Sequence, residues 1–202
     1  MASGDLVLCR YLVSEFREER RLFDQRVLDL GVGVFGVDKF PTVSEDTPLV
    51  EVLEVLSRYG VSSVPILRKP CAASTGAATD RVFAPLPEAT NGKRDGAQPP
   101  PGCVLLDIYC RSYVTYLTKI RPTSIIAVLN SPVGEVLRSR DPEWLAFSAR
   151  CGENLHTCRK EDSLHAVFTT FAASQVHRLV CVDSYDRCEG VISIEDIWKW
   201  LF

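Results

Sequence analysis

Residues 177–183 read HRLVCVD and, after a polar turn, residues 190–198 read GVISIEDIW. The first segment contains an unbroken apolar run with a β-branched bias, which predicts a buried strand, and the second opens with another short apolar run. The hydroxyl of Ser193 then precedes a helical pattern that carries Asp196 in its first turn. This stretch therefore predicts two adjacent strands that lead directly into a helix start bearing a hydroxyl and a carboxylate.

The beginning of that helix is a candidate binding site. A helix start presents unpaired N–H groups and a partial positive charge, which suit a phosphate. The carboxylate of Asp196 suits the paired hydroxyls of a ribose. At the beginning of the preceding strand, His177 and Arg178 could add hydrogen-bond donors for the same phosphate.

The spacing of Ser193 and Asp196 is also close to that of a capping box, which stabilises a helix with no ligand at all. The two interpretations are compatible, because a ligand can replace the cap. Alone, Arg178 would be an ordinary surface ion-pair partner and His177 an ordinary strand-edge histidine. Their combination with the helix start favours the nucleotide interpretation.

The order extended segment, helix, strand, strand, helix occurs twice, in residues 40–118 and 155–202. A single unit of about 50–60 residues buries too little surface to be stable alone, so we expect the two units to pack sheet to sheet in one α/β (α+β) module. Residues 70–102, dominated by Pro, Gly, Ala, Ser, Thr and Asn, are expected to form a disordered insertion in the first unit. Residues 119–154 are expected to form a linker helix followed by an irregular stretch over 141–154.

Residues 1–39 precede the first unit. A helix is predicted over 5–24 and a short second helix over 25–30. Residues 31–36 read GVGVFG, which matches the Gly-x-Gly-x-x-Gly pattern of dinucleotide-binding loops. That interpretation requires a helix directly afterwards, and no helix signal follows, so we expect a loop or an extended linker.

Composition excludes several classes of function. The 202 residues carry a net charge of −3 and are 46% hydrophobic, which fits a soluble globule without an overall nucleic-acid footprint. No apolar run is long enough to cross a bilayer. The eight Cys lack the close pairs of a zinc site and are interpreted as reduced thiols. With three His and no catalytic set at motif spacing, we expect neither a metal site nor an enzyme.

The opening stretch resembles the second half of a cystathionine-β-synthase (CBS) domain, and more narrowly the last CBS domain of the γ subunit of AMP-activated protein kinase. The most specific match is VHRLV at residues 176–180. VSSVPI at 61–66 and LLDIY at 105–109 are similar to two strands of that family, and residues 40–49 resemble the entry into its third CBS domain. The resemblance implies tandem CBS domains, the third and fourth, forming one Bateman module, with residues 1–39 as a lead-in and remnant of a preceding CBS domain.

Subunits of this family bind AMP, ADP or ATP and regulate a partner kinase without catalysing a reaction. Carried over by position, the resemblance implies that His177 and Arg178 contact phosphate. It implies that Ser193 contacts phosphate from the helix start and that Asp196 holds the ribose.

In the first unit, Cys110 and Tyr113 stand at the positions that correspond to the hydroxyl and the carboxylate. A tyrosine cannot accept two hydroxyls as a carboxylate does, so we expect the ribose site of this unit to be impaired or empty. Thr47 and Arg111 are predicted to line a cleft shared by the two units.

The resemblance also implies partners and a location. The partners are the catalytic and scaffold subunits of a kinase heterotrimer, or a second CBS pair in self-association, with no nucleic acid and no membrane. The location is cytoplasmic, with the nucleus as a second compartment. The alternative is a CBS scaffold that has kept the fold for protein–protein interaction and has lost nucleotide sensing.

Overall fold

The computed structural model describes residues 23–36, 39–68, 104–120 and 125–201. Apart from its last two residues, the helix predicted over 5–24 lies outside these ranges, and so does the insertion predicted over 70–102. None of the helices within the described ranges has the length and apolar character that a membrane crossing requires.

Two units with the same order of elements make up the fold. A lead-in contributes α1 (Val27–Leu30) and β1 (Val34–Phe35). The first unit comprises β2 (Val43–Ser44), α2 (Leu49–Arg58), β3 (Ser63–Arg68), β4 (Val104–Cys110) and α3 (Ser112–Ile120). The connecting helices are α4 (Ile125–Asn130), α5 (Val133–Arg138) and α6 (Pro142–Arg150). The second unit comprises β5 (Thr157–Cys158), α7 (Leu164–Ser174), β6 (Arg178–Val182), β7 (Cys188–Ser193) and α8 (Ile194–Leu201). The predicted mixed α/β class with a repeated order of elements is confirmed.

The strands in the described ranges form two sheets, and one of them joins a strand of the lead-in to the second unit. The first sheet has the order β2-β3-β4, with β2 parallel and β4 antiparallel to β3. The second has the order β1-β7-β6-β5. Its edge strand β1 comes from the lead-in and pairs antiparallel with β7, Val34 opposite Val191. The lead-in is therefore held by the second unit although it precedes the first.

The glycine run at 31–36 serves this pairing. Gly33 has a φ of +99°, and a Cβ there would lie 2.7 Å from the Cγ1 atom of Ile192. Only glycine combines that backbone conformation with such a close approach. The segment is thus a turn and a short strand, as expected for a loop or extended linker.

Strand β6 lies between the two hydrophobic cores. Leu179 and Cys181 belong to the core of the second unit, and Val180 and Val182 to that of the first. All four side chains are buried, which explains the unbroken apolar run, because a strand covered on both faces needs no polar alternation.

The prediction of an irregular stretch over residues 141–154 is wrong, since Pro142–Arg150 forms helix α6. The carboxylate of Asp141 caps this helix by accepting a hydrogen bond of 2.7 Å from the N–H of Trp144, and Pro142 occupies the first turn. Asp followed by Pro is a recognised helix-start signal. Residues 125–140 likewise hold two short helices, α4 and α5, where one linker helix was expected.

Candidate functional site

The start of helix α8 is a closed capping box. The N–H and the hydroxyl of Ser193 donate to Oδ2 of Asp196 at 2.8 and 2.7 Å, and the N–H of Asp196 donates back to the Ser193 hydroxyl oxygen at 3.2 Å. Both predicted residues therefore come together, and the helix is capped without any ligand. A ribose would have to replace the bonds that Ser193 now makes to this carboxylate.

Arg178 faces this helix start from the adjacent strand. It lies directly opposite Ser193 in the antiparallel β6–β7 ladder, and residues opposite one another in a ladder share a face of the sheet. Its guanidinium extends towards the first unit, where it donates to the Cys110 sulfur at 3.3 Å and to Oε2 of Glu153 at 3.5 Å. The Arg178 and Glu153 side chains are 12% and 13% exposed, so the cation bridges the two units in a largely dry setting.

His177 fixes the main chain beside this site. Its carbonyl accepts a 3.0 Å hydrogen bond from the N–H of Ile194, at the start of α8. Its own N–H donates to the carbonyl of Gly152 at 3.2 Å. The imidazole packs on the same glycine, where an added Cβ would lie 3.2 Å from the Cε1 atom of the ring. His177 therefore joins β6 both to the predicted binding helix and to the loop that ends at β5.

The first unit repeats this geometry with different chemistry. The pairing of Ser63 with Cys110 in β3–β4 matches that of Arg178 with Ser193, so Cys110 holds the position of the serine. Burial raises the pKa of the Cys110 thiol well above its ordinary value, which keeps the thiol neutral. A neutral thiol is a weaker hydrogen-bonding group than the serine hydroxyl.

Tyr113, at the position of the carboxylate, is fully buried. Its hydroxyl lies 2.9 Å from the Ser148 hydroxyl oxygen and donates to the Glu153 carbonyl at 2.8 Å. Its ring meets those of Tyr109 and Trp144 edge-on, with centroids 5.4 Å apart in each case. The ring is thus part of the packed interior of the first unit.

The other two predicted residues have partners elsewhere in the described structure. The Arg111 guanidinium donates to the carbonyls of Val61 at 3.0 Å and Leu56 at 3.4 Å, next to the C-terminal end of α2. That is a capping role for a helix C-terminus. Thr47 holds the turn between β2 and α2, where its carbonyl accepts from the N–H of Val133 at 2.9 Å. None of these bonds joins Arg111 or Thr47 to Arg178 or to its partner Glu153.

Glu153 was missed by the sequence reasoning, which placed it in an irregular stretch. Its only local signal is a glycine followed by a carboxylate before a short strand. Within the described ranges no group of His, Cys, Asp or Glu could hold a metal ion.

A cavity of about 210 Å³ lies apart from this site, among α3, α4, α5 and α6. Leu117, Val128, Val136 and Trp144 give it apolar walls, and Glu135 and Asp141 are its acidic residues. None of the six predicted site residues lines it.

Comparison with known proteins agrees with the repeated fold. The CBS domain model matches residues 35–70 and 151–199. The γ subunit of 5′-AMP-activated protein kinase from Dictyostelium discoideum is 30% identical over 88% of this chain and 25% of its own length. The corresponding subunit from Saccharomyces cerevisiae is 26% identical over 84% of this chain and 39% of its own length. The chain thus spans between a quarter and two fifths of these relatives.

Solved structures share the fold at low sequence identity. A Methanocaldococcus jannaschii protein proposed as an archaeal homologue of the same γ subunit superposes with a TM-score of 0.59 at 13% identity, covering 98% of this chain and 53% of that one. A hemolysin-like CBS protein of Oenococcus oeni gives a TM-score of 0.52 at 12% identity, covering 91% and 95%. The matched segments, the repeated fold and the curated relatives together make this chain a CBS-domain protein that resembles the γ subunits of AMP-activated protein kinase.

Proposed function

We propose that this chain binds an adenine nucleotide, AMP, ADP or ATP, at the start of α8 and that binding regulates a partner protein kinase. The observation that carries the proposal is the placement of Arg178 directly opposite Ser193, on the same sheet face as the capped helix start. The names of the curated relatives support the choice of an adenine nucleotide.

In this proposal the phosphate lies at the N-terminal end of α8. There it meets the positive end of the helix dipole and the guanidinium of Arg178, with His177 beside it. The Asp196 carboxylate gives up the hydrogen bonds that it accepts from Ser193 and accepts hydrogen bonds from the two ribose hydroxyls instead. The protein's part is recognition, and the proposal includes no catalytic step.

Calorimetric titration with AMP, ADP and ATP tests the site when Asp196→Ala is compared with a matched control. Ser163→Ala removes another helix cap, the hydroxyl that accepts from the N–H of Ala166 at 3.2 Å at the start of α7. Each variant should lose about 1 kcal/mol of stability through its lost cap. Only Asp196→Ala should weaken nucleotide binding, by about tenfold or more. Unchanged affinity in Asp196→Ala would show that the ribose is not held there.

A second candidate is a scaffold that does not respond to nucleotides. It is favoured by the capping box, which is complete without a ligand, and by Tyr113, which fills the interior of the first unit. Thermal unfolding with a nucleotide panel separates the two functions. A ligand at 100 times its Kd adds about 2.7 kcal/mol, which raises Tm by roughly 5–10 °C for a chain of this size. If none of the nucleotides shifts Tm, the result favours the scaffold function.

The kinase partnership is tested by co-purification. The proposed partners are the catalytic and scaffold subunits of a γ-like heterotrimer, with this chain in the place of the third and fourth CBS domains. Recovery of a second CBS pair alone would instead indicate self-association.

A further inference from the structure

The loop between α6 and β5 is fixed against the start of β6. Gly152 has a φ of +65°, and a Cβ there would lie 2.5 Å from the carbonyl oxygen of Gln175. The Gly152 carbonyl accepts from His177, and the N–H of Glu153 donates to the Ser148 carbonyl at 3.0 Å. The position of Glu153 is therefore set by its neighbours on both sides.

Glu153 contacts both units at once. Its main-chain carbonyl accepts from the Tyr113 hydroxyl at 2.8 Å and from the Cys110 thiol at 3.8 Å, both in the first unit. Its carboxylate pairs with Arg178 of the second unit. The main-chain bonds do not depend on the side chain, so the carboxylate can be changed while the loop stays in place.

From these contacts we infer that Glu153 is a built-in competitor for the nucleotide phosphate at Arg178. The inference rests on the proposed function, in which that guanidinium binds the phosphate. A carboxylate and a phosphate present the same kind of oxygen acceptors to an arginine. While Arg178 is paired with Glu153, it is not free to bind the ligand.

The geometry of the pair shows that it can be displaced. Strong charge-assisted hydrogen bonds span about 2.7–2.9 Å, whereas the Arg178–Glu153 contact is 3.5 Å long. A phosphate with two negative charges can outcompete such a pair. The apparent Kd is then the intrinsic Kd divided by the fraction of molecules in which Arg178 is free, so Glu153 sets the nucleotide concentration at which the site fills.

The test is calorimetric titration of AMP into the wild-type chain and Glu153→Gln. Glutamine keeps the size of the side chain and leaves the main-chain bonds to Tyr113 and Cys110 intact. If Arg178 is paired in about nine molecules out of ten, the variant should bind AMP about tenfold more tightly. Adenosine, which lacks the phosphate, should bind both proteins equally. Glu54→Gln, an exposed site on α2, removes the same charge elsewhere and should leave the affinity unchanged.

The outcomes separate the inference from the proposed function. AMP binding by the wild type with equal or weaker binding by a folded Glu153→Gln overturns the competitor role and leaves the nucleotide site standing. A gain for adenosine equal to that for AMP also overturns it, because the competition concerns the phosphate. If neither protein binds AMP, ADP or ATP, the proposed function fails, and the inference with it.

Discussion

Two neighbouring tyrosines allow a sharp test of how the first unit is held together. Tyr113 and Tyr109 are both fully buried, and their rings pack edge-on. The Tyr113 hydroxyl has two polar partners, Ser148 and the Glu153 carbonyl. The Tyr109 hydroxyl is buried with no hydrogen-bond partner among the described residues. Replacing each by phenylalanine removes the same atom from two different environments.

The expected magnitudes follow from those environments. A hydrogen bond contributes about 1 kcal/mol net. Tyr113→Phe should therefore cost about 1–2 kcal/mol, because it removes the bond to the Glu153 carbonyl and the contact with Ser148, whose own hydroxyl also donates to Oδ1 of Asn154 at 2.7 Å. For a chain of this size that loss lowers Tm by roughly 2–8 °C. An unpaired buried hydroxyl is itself unfavourable, so Tyr109→Phe should leave stability unchanged within about 0.5 kcal/mol or increase it.

Urea denaturation followed by tryptophan fluorescence measures both variants against the wild type. The reasoning would be refuted if Tyr113→Phe cost less than about 0.5 kcal/mol, since it removes the hydroxyl that donates to the buried Glu153 carbonyl. It would also be refuted if the two variants lost equal stability. That result would mean that the hydrogen-bond partners of a buried tyrosine hydroxyl do not decide its contribution to stability.

Two further outcomes are expected. Gly152→Ala should destabilise by more than about 2 kcal/mol in chemical denaturation, because its φ is +65° and a Cβ would clash with a backbone carbonyl. Gly60→Ala, with a φ of +64° and nothing within 4 Å of an added Cβ, should cost only about 1 kcal/mol. Equal losses of stability in the two variants would contradict the close packing of Gly152 against the Gln175 carbonyl. The hydrogen bond from Arg68 holds the pKa of Glu45 below its usual value, so this carboxylate stabilises the fold above its unfolded pKa and loses that effect as pH falls through the folded pKa. Urea midpoints should therefore fall more for the wild type than for Glu45→Gln between about pH 6 and pH 3.

Much of the fold could be predicted because its signals are local. The apolar run Leu179–Val182 and the capping pair Ser193 and Asp196 are short-range patterns, and both appear in the structure at the expected positions. Helix α6 carried an equally local signal, Asp141 followed by Pro142, which the sequence reasoning overlooked. Helix α6 could therefore have been predicted from the sequence, and leaving it out was an error of interpretation.

The partners of the candidate site could not be predicted in the same way. Arg178 pairs with Glu153, 25 residues away, and with Cys110, 68 residues away. The Arg111 guanidinium donates to carbonyls 50 and 55 residues earlier in the chain, at the end of α2. Long side chains find their partners only after the sheets have packed, so periodicity and spacing along the chain carry no record of them.

The sequence by itself determined the repeat, the strands that lead into α8 and the residues at the start of that helix, since each depends on neighbours within a few positions. Tertiary structure alone decided that β1 joins the sheet of the second unit, that Tyr113 lies in a packed interior and that a carboxylate faces Arg178. These features arise where distant segments meet, and the free energy of burial and ion pairing there depends on which surfaces come into contact.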